Sequence, residues 1–493
     1  MRILVENGRL LDPSRELDVQ ESLWIEDGII CEKQAFSANQ ADRVIDVAGG
    51  WVVPGLIDLH VHFRDPGLEY KETIETGCLA AAHGGYTTVC PMPNTKPSTD
   101  CPEVVKEVLD KASAACGVHV LPVGAVTVGQ KGEQPTDVAA LKAAGIVAIS
   151  EDGKSVMNSE VYREAMLQAA ECDIPVFAHC EDINLVHGGC MNAGKRAKEL
   201  GLPGISNAVE DIITARDILL ANETGAQLHL CHCSTKESVN LVKWGKEMGV
   251  KLTAEVCPHH FALSDEDIPS AEDTNYKMNP PLRSKEDVEA IKQALKDGVM
   301  EVISTDHAPH HADEKAKPFT QAPFGIVGLE TAVALTITNL VRTGWLTPMQ
   351  MIAYMSTNPA KVLGIDKGTL KPGSCADVTV IMPDESYVID AASFASKGKN
   401  TPFDGEKVWG RVALTIADGK IIYENPVVKE ADVLDENLTF IMTDVMKSMF
   451  DRRLNDYTSV TGGSIATLLD RPIAGKSGST EFDSWMIGYT PRK

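Results

Sequence analysis

From Ile57 to Gly67 the chain reads IDLHVHFRDPG. An apolar run delivers two histidines one residue apart, and an arginine follows. Residues i and i+2 of a strand share a face, so His60 and His62 can present both imidazoles to one side. Such a pair fits an ordinary hydrogen-bonded strand end as well as a metal site, and the rest of the chain has to decide between them.

Working outward, short apolar runs alternate with amphipathic stretches. The runs are GLIDLHVH, YTTVCPM (86–92), VHVLPVGAV (118–126), GIVAISED (145–152), IPVFAHC (174–180), AQLHLCHC (226–233), KLTAEVCPHH (251–260) and MEVISTDHAPH (300–310). Helical patterns such as PEVVKEVLDKASAA (102–115), EDIITARDILLANE (210–223) and SKEDVEAIKQALKDG (284–298) lie between them. Eight strand candidates with intervening helices predict an α/β fold, a parallel sheet closed as a (β/α)8 TIM-like barrel over 51–366. An open doubly wound sheet is the alternative, but neither GxGxxG nor GxxxxGK[ST] follows a strand. Residues 1–50 and 367–425 read instead as short strands and turns. Each carries a hairpin signal, Glu26-Asp27-Gly28-Ile29 and Ala417-Asp418-Gly419-Lys420. One small β-sandwich domain built from both ends of this region is the economical expectation.

The chain has 493 residues with 43% apolar and 24% charged content, as in a soluble globular protein. A net charge of −24 argues against nucleic acid or an anionic membrane as partner. The opening MRILVENGRLLDPSRELD lacks the apolar core of a signal peptide, no run approaches membrane-span length, and a cytoplasmic location is expected. The twelve cysteines form no CxxC pair and are expected to be reduced. Cys231 and Cys233 flank His232, but strand alternation should turn both thiols away from it.

The strand ends collect metal-type ligands. Strand 1 ends in His60 and His62, strand 4 in Glu151 and Asp152, strand 5 in His179, strand 6 in His232, and strand 8 in Asp306 and His310. In a (β/α)8 barrel these ends converge on one mouth. Imidazole nitrogens and carboxylate oxygens suit Zn²⁺ or a similar divalent ion, and this set is large enough for two. Spacing alone does not choose between Glu151 and Asp152.

The stretches PGLIDLHVHFRDPGLEYKETIETG, CPMPNTKP, FAHCED, NPPLRSKED and STDHAPH resemble the amidohydrolase superfamily, and within it the bacterial type I dihydroorotases, over residues 1 to about 425. The resemblance implies reversible hydrolysis of the cyclic amide of dihydroorotate to N-carbamoyl-aspartate, in pyrimidine biosynthesis. It implies two Zn²⁺ per subunit: His60 and His62 hold one, His179 and His232 the other, Asp152 bridges, and Asp306 completes the site as acid/base. It also implies substrate contacts from His62, Arg64, Asn94, Asn279, His310, Phe324 and Gly325. His260 is expected to orient the site or to pack behind it. Hydantoinases and allantoinases, the alternative cyclic-amide hydrolases, carry a carboxylated lysine at the end of strand 4. Here that strand reads VAISEDGKS, and Lys154 lies two residues past Asp152. A homodimer and a complex with an aspartate transcarbamoylase are the assemblies the resemblance allows.

Residues 430–493 read differently. GKSGSTEFDSWMIGYTP resembles the third conserved box of penicillin-binding-protein transpeptidases, with Lys476-Ser477-Gly478 as its triplet. That chemistry also needs an SxxK nucleophile and an SxN element. Ser396 to Lys399 matches SxxK by letter only, inside the dihydroorotase-like region, so no transpeptidase activity is expected.

Overall fold

The computed structural model describes residues 1–425 and, as backbone, the strands Lys429–Glu430, Ala474–Ser479 and Ser484–Tyr489. The chain divides into two units, Met1–Lys429 and Glu430–Lys493.

In the first unit eight parallel strand positions form the barrel. They are β1 (Leu56–Val61), β2 (Tyr86–Pro91), β3 (in two segments, His119–Val120 and Val123–Ala125), β4 (Ala148–Ser150), β5 (Val176–Ala178), β6 (Leu228–Leu230), β7 (Leu252–Val256) and β8 (Val302–Ile303). β1, β2 and the first segment of β3 pair as one sheet, and the second segment of β3 pairs onward through β4, β5, β6, β7 and β8. The ring closes between β8 and β1 with little ladder. Val61 bridges His307, the His62 N–H donates to the His307 carbonyl at 2.8 Å, and the Thr305 N–H donates to the buried Asp58 carboxylate at 3.2 Å. A side chain thus substitutes for missing backbone acceptors at the seam.

The amphipathic stretches form the outer layer, including Pro102–Ser113, Ala208–Thr224 and Lys285–Lys296. Ser284 caps the last of these by accepting from the Asp287 N–H, the expected role of serine at that position. Val89, Ile149, Val176, Leu228 and Leu252 from the strands pack with Val105, Val239, Val242 and Ile291 from the helices in one buried cluster.

Both ends of this unit build one sheet. It runs Lys420–Glu424, Lys407–Ala417, Val378–Val388, Trp51–Pro54, Arg2–Asp12, Leu17–Glu26, Ile29–Ile30, with Arg43–Asp46 also against Arg2–Asp12. Trp51–Pro54 receives Val378–Val388 with Val52 opposite Val380, and the chain then enters β1 through Gly55. A Cβ at Gly55 would lie 2.2 Å from Thr87 Oγ1, so this close approach needs glycine. The two Asp-Gly turns take the left-handed backbone of a two-residue hairpin loop, at φ 50° and 84° for Asp27 and Gly28 and 48° and 68° for Asp418 and Gly419. They stack on each other, and a Cβ at Gly419 would lie 2.5 Å from Gly28 Cα. Gly419→Ala should therefore cost about 1–3 kcal/mol from strain and clash together. A thermal midpoint equal to that of the parent protein would contradict this packing.

In the second unit Ala474–Ser479 pairs antiparallel with Ser484–Tyr489, Ser477 opposite Met486. The Lys476-Ser477-Gly478 triplet lies on the first of these strands and SWMIGY on the second, and the other residues of 431–493 lie outside the described residues. Among the described residues no helix is long and apolar enough to cross a membrane.

Candidate metal centre and substrate cavity

The carboxyl ends of β1, β4, β5, β6 and β8 meet. Around the Asp152 carboxylate, His60 Nε2 lies 3.2 Å away, His62 Nε2 3.3 Å, His179 Nδ1 3.3 Å and His232 Nε2 3.7 Å. Asp306 Oδ1 is 3.1 Å from His62 Nε2 and 3.6 Å from His60 Nε2, and His179 Nδ1 is 2.9 Å from His232 Nε2. Donors sharing a tetrahedral ion at about 2.1 Å sit about 3.3 Å apart, so these separations fit ligands aimed at common points. His60 Nε2 and Asp152 Oδ1 are close and buried, yet neither has an aligned hydrogen-bond partner among the described residues. Three residues at the site hold left-handed backbone that non-glycine residues rarely adopt: Arg64 at φ 60°, His232 at 35° and Asp306 at 48°.

The imidazoles are held from behind. His60 Nδ1 is 2.8 Å from Glu255 Oε1, and the other Glu255 oxygen is 3.0 Å from His229 Nε2. His62 Nδ1 faces Asn94 Oδ1 at 2.9 Å, and His179 Nε2 faces Glu181 Oε2 at 3.2 Å. Each partner accepts the outer N–H and leaves the inner nitrogen's lone pair directed at the centre, the usual arrangement behind metal-ligating histidines. Asp152, Asp306 and Glu255 are all buried, and among the described residues none pairs with lysine or arginine. Buried negative charge needs compensation. Burial alone would push the Asp152 carboxyl up, but His60 and His62 hold it well below its ordinary range. Burial opposes the charged form of His179 too, yet Asp152 and Glu181 raise it to about 10. The site draws cations, protons or metal alike.

A cavity of about 350 Å³ opens over this centre, lined by Asp152, His179, His232 and Asp306 together with His62, Arg64, Asn94, Asn279, His310, Phe324 and Gly325. His60 lies beneath it, fully buried. Arg64 is 9% exposed, donates to the Pro309 carbonyl at 3.3 Å, and has no carboxylate within ion-pair distance among the described residues. Burial lowers its pKa, so an anion in the cavity would be stabilising. His310 Nδ1 is 3.3 Å from Lys71 Nζ and its Nε2 is 2.8 Å from the Phe324 carbonyl, which assigns the N–H to Nε2. Burial, Arg64 and Lys71 keep this imidazole neutral.

The other expected contacts are already engaged. Asn94 Nδ2 donates to Asp152 at 3.3 Å, and Asn279 Nδ2 donates to Glu181 at 3.0 Å. The Gly325 N–H donates to the Lys277 carbonyl at 3.0 Å. His260 donates to the Pro280 carbonyl at 3.0 Å, beside Asn279, and burial drives its pKa down to about 3.

The structure separates Glu151 from Asp152. Glu151 turns away and accepts the Thr127 N–H at 3.0 Å and the Thr127 hydroxyl, whereas Asp152 faces the imidazoles. Lys154 Nζ donates to the Gln130 carbonyl at 3.1 Å and supplies no bridge. The Cys231 thiol is grouped with the side chains of His60 and Glu255 rather than with His232. Burial raises its pKa, so it stays a thiol. Glu255 and Glu181 were missed by sequence reasoning. The signal for Glu255 was a carboxylate in the buried run LTAEV of β7, and that for Glu181 was the acidic residue two positions past His179.

A barrel mouth with clustered His and Asp, backed by carboxylates and facing a small cavity, defines the metal-dependent amidohydrolase class. The family model described as dihydro-orotase-like matches residues 49–238. A dihydroorotase of Geobacter metallireducens is 49% identical over 425 residues, covering 86% of this chain and 100% of that protein. A dihydroorotase of Pelotomaculum thermopropionicum is 47% identical over 433 residues, covering 87% and 100%. Among solved structures, the L-hydantoinase (dihydropyrimidinase) of Arthrobacter aurescens aligns with a TM-score of 0.76 at 26% identity, over 88% of this chain and 97% of that one. A D-hydantoinase from a Thermus species aligns with a TM-score of 0.74 at 26% identity, over 87% and 97%. The chain belongs to the dihydroorotase family.

Glu255→Gln should weaken metal retention about 10–100-fold, as loss of a partner behind a ligating histidine does. Metal content after dialysis against graded chelator reads this, and parental retention in the variant would contradict the assigned role.

Proposed function

We propose that the chain is a zinc-dependent dihydroorotase, opening dihydroorotate to N-carbamoyl-aspartate and closing it in the direction of pyrimidine synthesis. The observation that carries this reading is the juxtaposition of an Asp152-centred cluster of four imidazoles with a buried arginine that lacks a carboxylate. The first answers the scissile amide and the second the substrate's carboxylate.

In this reading His60 and His62 hold one Zn²⁺, His179 and His232 hold a second, Asp152 bridges them, and Asp306 completes the centre. When bound, such ions polarise a carbonyl and make water acidic enough to ionise near neutral pH. Arg64 grips the substrate carboxylate by its planar fork, which also sets the ring's orientation. His310 lies 3.4 Å from the Arg64 guanidinium and presents a second polar edge to the same carboxylate. Asn94 and Asn279 keep the ligand partners Asp152 and Glu181 in register beside the ring. The Phe324 and Gly325 backbone limits where the ring can lie. Asp306 is the only carboxylate of the set on the cavity wall besides Asp152, which the imidazoles surround. It accepts a proton as the amide is attacked and returns it to the leaving ring nitrogen, a transfer requiring only hydrogen-bond reach.

The same reading assigns 51–366 to the catalytic barrel, corrected by Trp51–Pro54, which pairs within the flanking sheet so that the barrel starts at Leu56; it assigns 1–50 with 367–425 to the flanking β-domain, and 430–493 to an appendage outside the chemistry. A cytoplasmic enzyme acting as a homodimer, or held by an aspartate transcarbamoylase, agrees with it.

A panel of dihydroorotate, hydantoin and allantoin should show dihydroorotate turned over fastest, and preference for either other ring would overturn the assignment. His62→Ala should remove bound metal and lower kcat/KM by about 10³-fold or more. Arg64→Met should raise KM for dihydroorotate about 10–100-fold, the equivalent of one charge-assisted hydrogen-bonded contact. An unchanged KM would remove Arg64 from the carboxylate role. Ending the chain before Glu430 should leave kcat/KM within about twofold of the full chain, and a large loss would place the appendage in the chemistry.

A further inference from the structure

A second cavity, of about 450 Å³, lies beside the first and shares His310 with it. Its size is that of a small-ligand site. Four lysines line it, Lys71, Lys315, Lys397 and Lys399, against two acidic residues, Glu272 and Asp273. With Lys71 paired to Glu314, Lys397 and Lys399 are the exposed ammoniums left without an acidic partner among the described residues. Asp273 is occupied, since its carboxylate accepts the Asn275 N–H at 3.2 Å.

The lysines are fixed in place, mostly without neutralisation. Lys315 is 6% exposed, and its ammonium donates to the carbonyls of Lys277 at 3.2 Å, Pro323 at 3.2 Å and Gly325 at 3.1 Å. Burial pushes its pKa down to about 7, and among the described residues no carboxylate pairs with it. Lys397 Nζ donates to the Glu69 carbonyl at 2.9 Å. Lys399 Nζ donates to the carbonyls of Phe394 at 2.6 Å and Ser396 at 2.7 Å. An ammonium has three donors, so Lys397 keeps two and Lys399 one for an incoming ligand. Among the described residues only Lys71 of these four has an acidic partner, Glu314 at 3.1 Å.

The chemistry of these donors selects the ligand. Lysines are point charges suited to phosphate, and this cavity offers no guanidinium fork of the kind that grips carboxylate in the neighbouring site. On the rim Tyr70 is 55% exposed, its hydroxyl donates to Glu314 at 3.0 Å, Lys71 Nζ lies 5.5 Å from its ring centroid, and the exposed His311 ring is tilted 55° to it at 6.3 Å, so the rim offers two aromatic surfaces to a planar ring. We propose that this cavity is a second ligand site, distinct from the catalytic one, that takes a phosphate monoester bearing a planar ring, of the nucleotide class. Lys397 and Lys399 hold the phosphate, and Tyr70 and His311 face the ring.

The test is calorimetric titration of the metal-loaded full chain with adenosine 5′-monophosphate, ribose 5-phosphate and adenosine as probes. Adenosine 5′-monophosphate should bind with a Kd below about 1 mM. Ribose 5-phosphate should bind more weakly, adenosine should give no saturable heat, and excess dihydroorotate should displace neither phosphate ester. K397E/K399E should weaken nucleotide binding about tenfold or more while leaving kcat/KM for dihydroorotate within about twofold. K397E alone, which removes contact with a single carbonyl, should show the same direction if the double variant folds poorly. Absence of binding at about 10 mM, an unchanged Kd in K397E, or displacement by dihydroorotate would overturn the proposal. A fall in kcat/KM for dihydroorotate without nucleotide binding would overturn it too, by making the cavity a vestibule for the substrate.

Discussion

The buried carboxylate of Asp152, faced by His60, His62, His179 and His232, is the interaction on which the rest of the molecule depends. A carboxylate this far from water, with no ammonium or guanidinium beside it among the described residues, is stable only where something positive sits among the imidazoles. That requirement explains the shell behind them. Glu255, Asn94 and Glu181 each take an outer imidazole N–H, so the inner nitrogens offer lone pairs. It also explains why left-handed backbone is tolerated at His232 and Asp306, where the barrel places the side chains and the main chain has to accommodate them.

The second constraint is the seam beside that centre. β8 contributes only Val302 and Ile303 to regular pairing, and the wall is completed by Asp58, Val61, His62, Thr305 and His307. The residues that close the barrel are interspersed in sequence with those of the site, and His62 belongs to both, so the run from Asp58 to Arg64 serves the closure and the site at once. Arg64 completes the picture, being buried beside the centre with carbonyl and imidazole neighbours and no carboxylate within ion-pair distance among the described residues.

Much of this was legible in the sequence because it follows from two periods. Alternation of period two places His60 and His62 on one face, and the repeat of strand and helix brings His179, His232 and Asp306 to the same mouth. What was not legible depends on three-dimensional partners. Glu255 sits in an apolar strand, and its role appears only when His60 and His229 are seen against it. The choice of Asp152 over Glu151 is made by Thr127, which captures Glu151 from a neighbouring strand position. The approach of the Cys231 thiol to His60 and Glu255 likewise depends on the fold and not on local alternation. Asn94 and Asn279, expected as substrate contacts, line the cavity, and their hydrogen bonds to Asp152 and Glu181 were not legible in the sequence. The likeness of the fold to hydantoinases at 26% identity and of the sequence to dihydroorotases at 49% are consistent, since one barrel can carry different sites.

We propose a binuclear zinc centre, built on Asp152, that opens dihydroorotate. It is tested most directly by stripping the purified full chain of metal and measuring dihydroorotate hydrolysis as Zn²⁺ is returned. The account predicts that activity is lost on stripping and rises with added metal to a plateau at about two ions per chain. Full activity in the metal-free protein, or a plateau at a single ion with Asp152 replaceable by alanine, would contradict it.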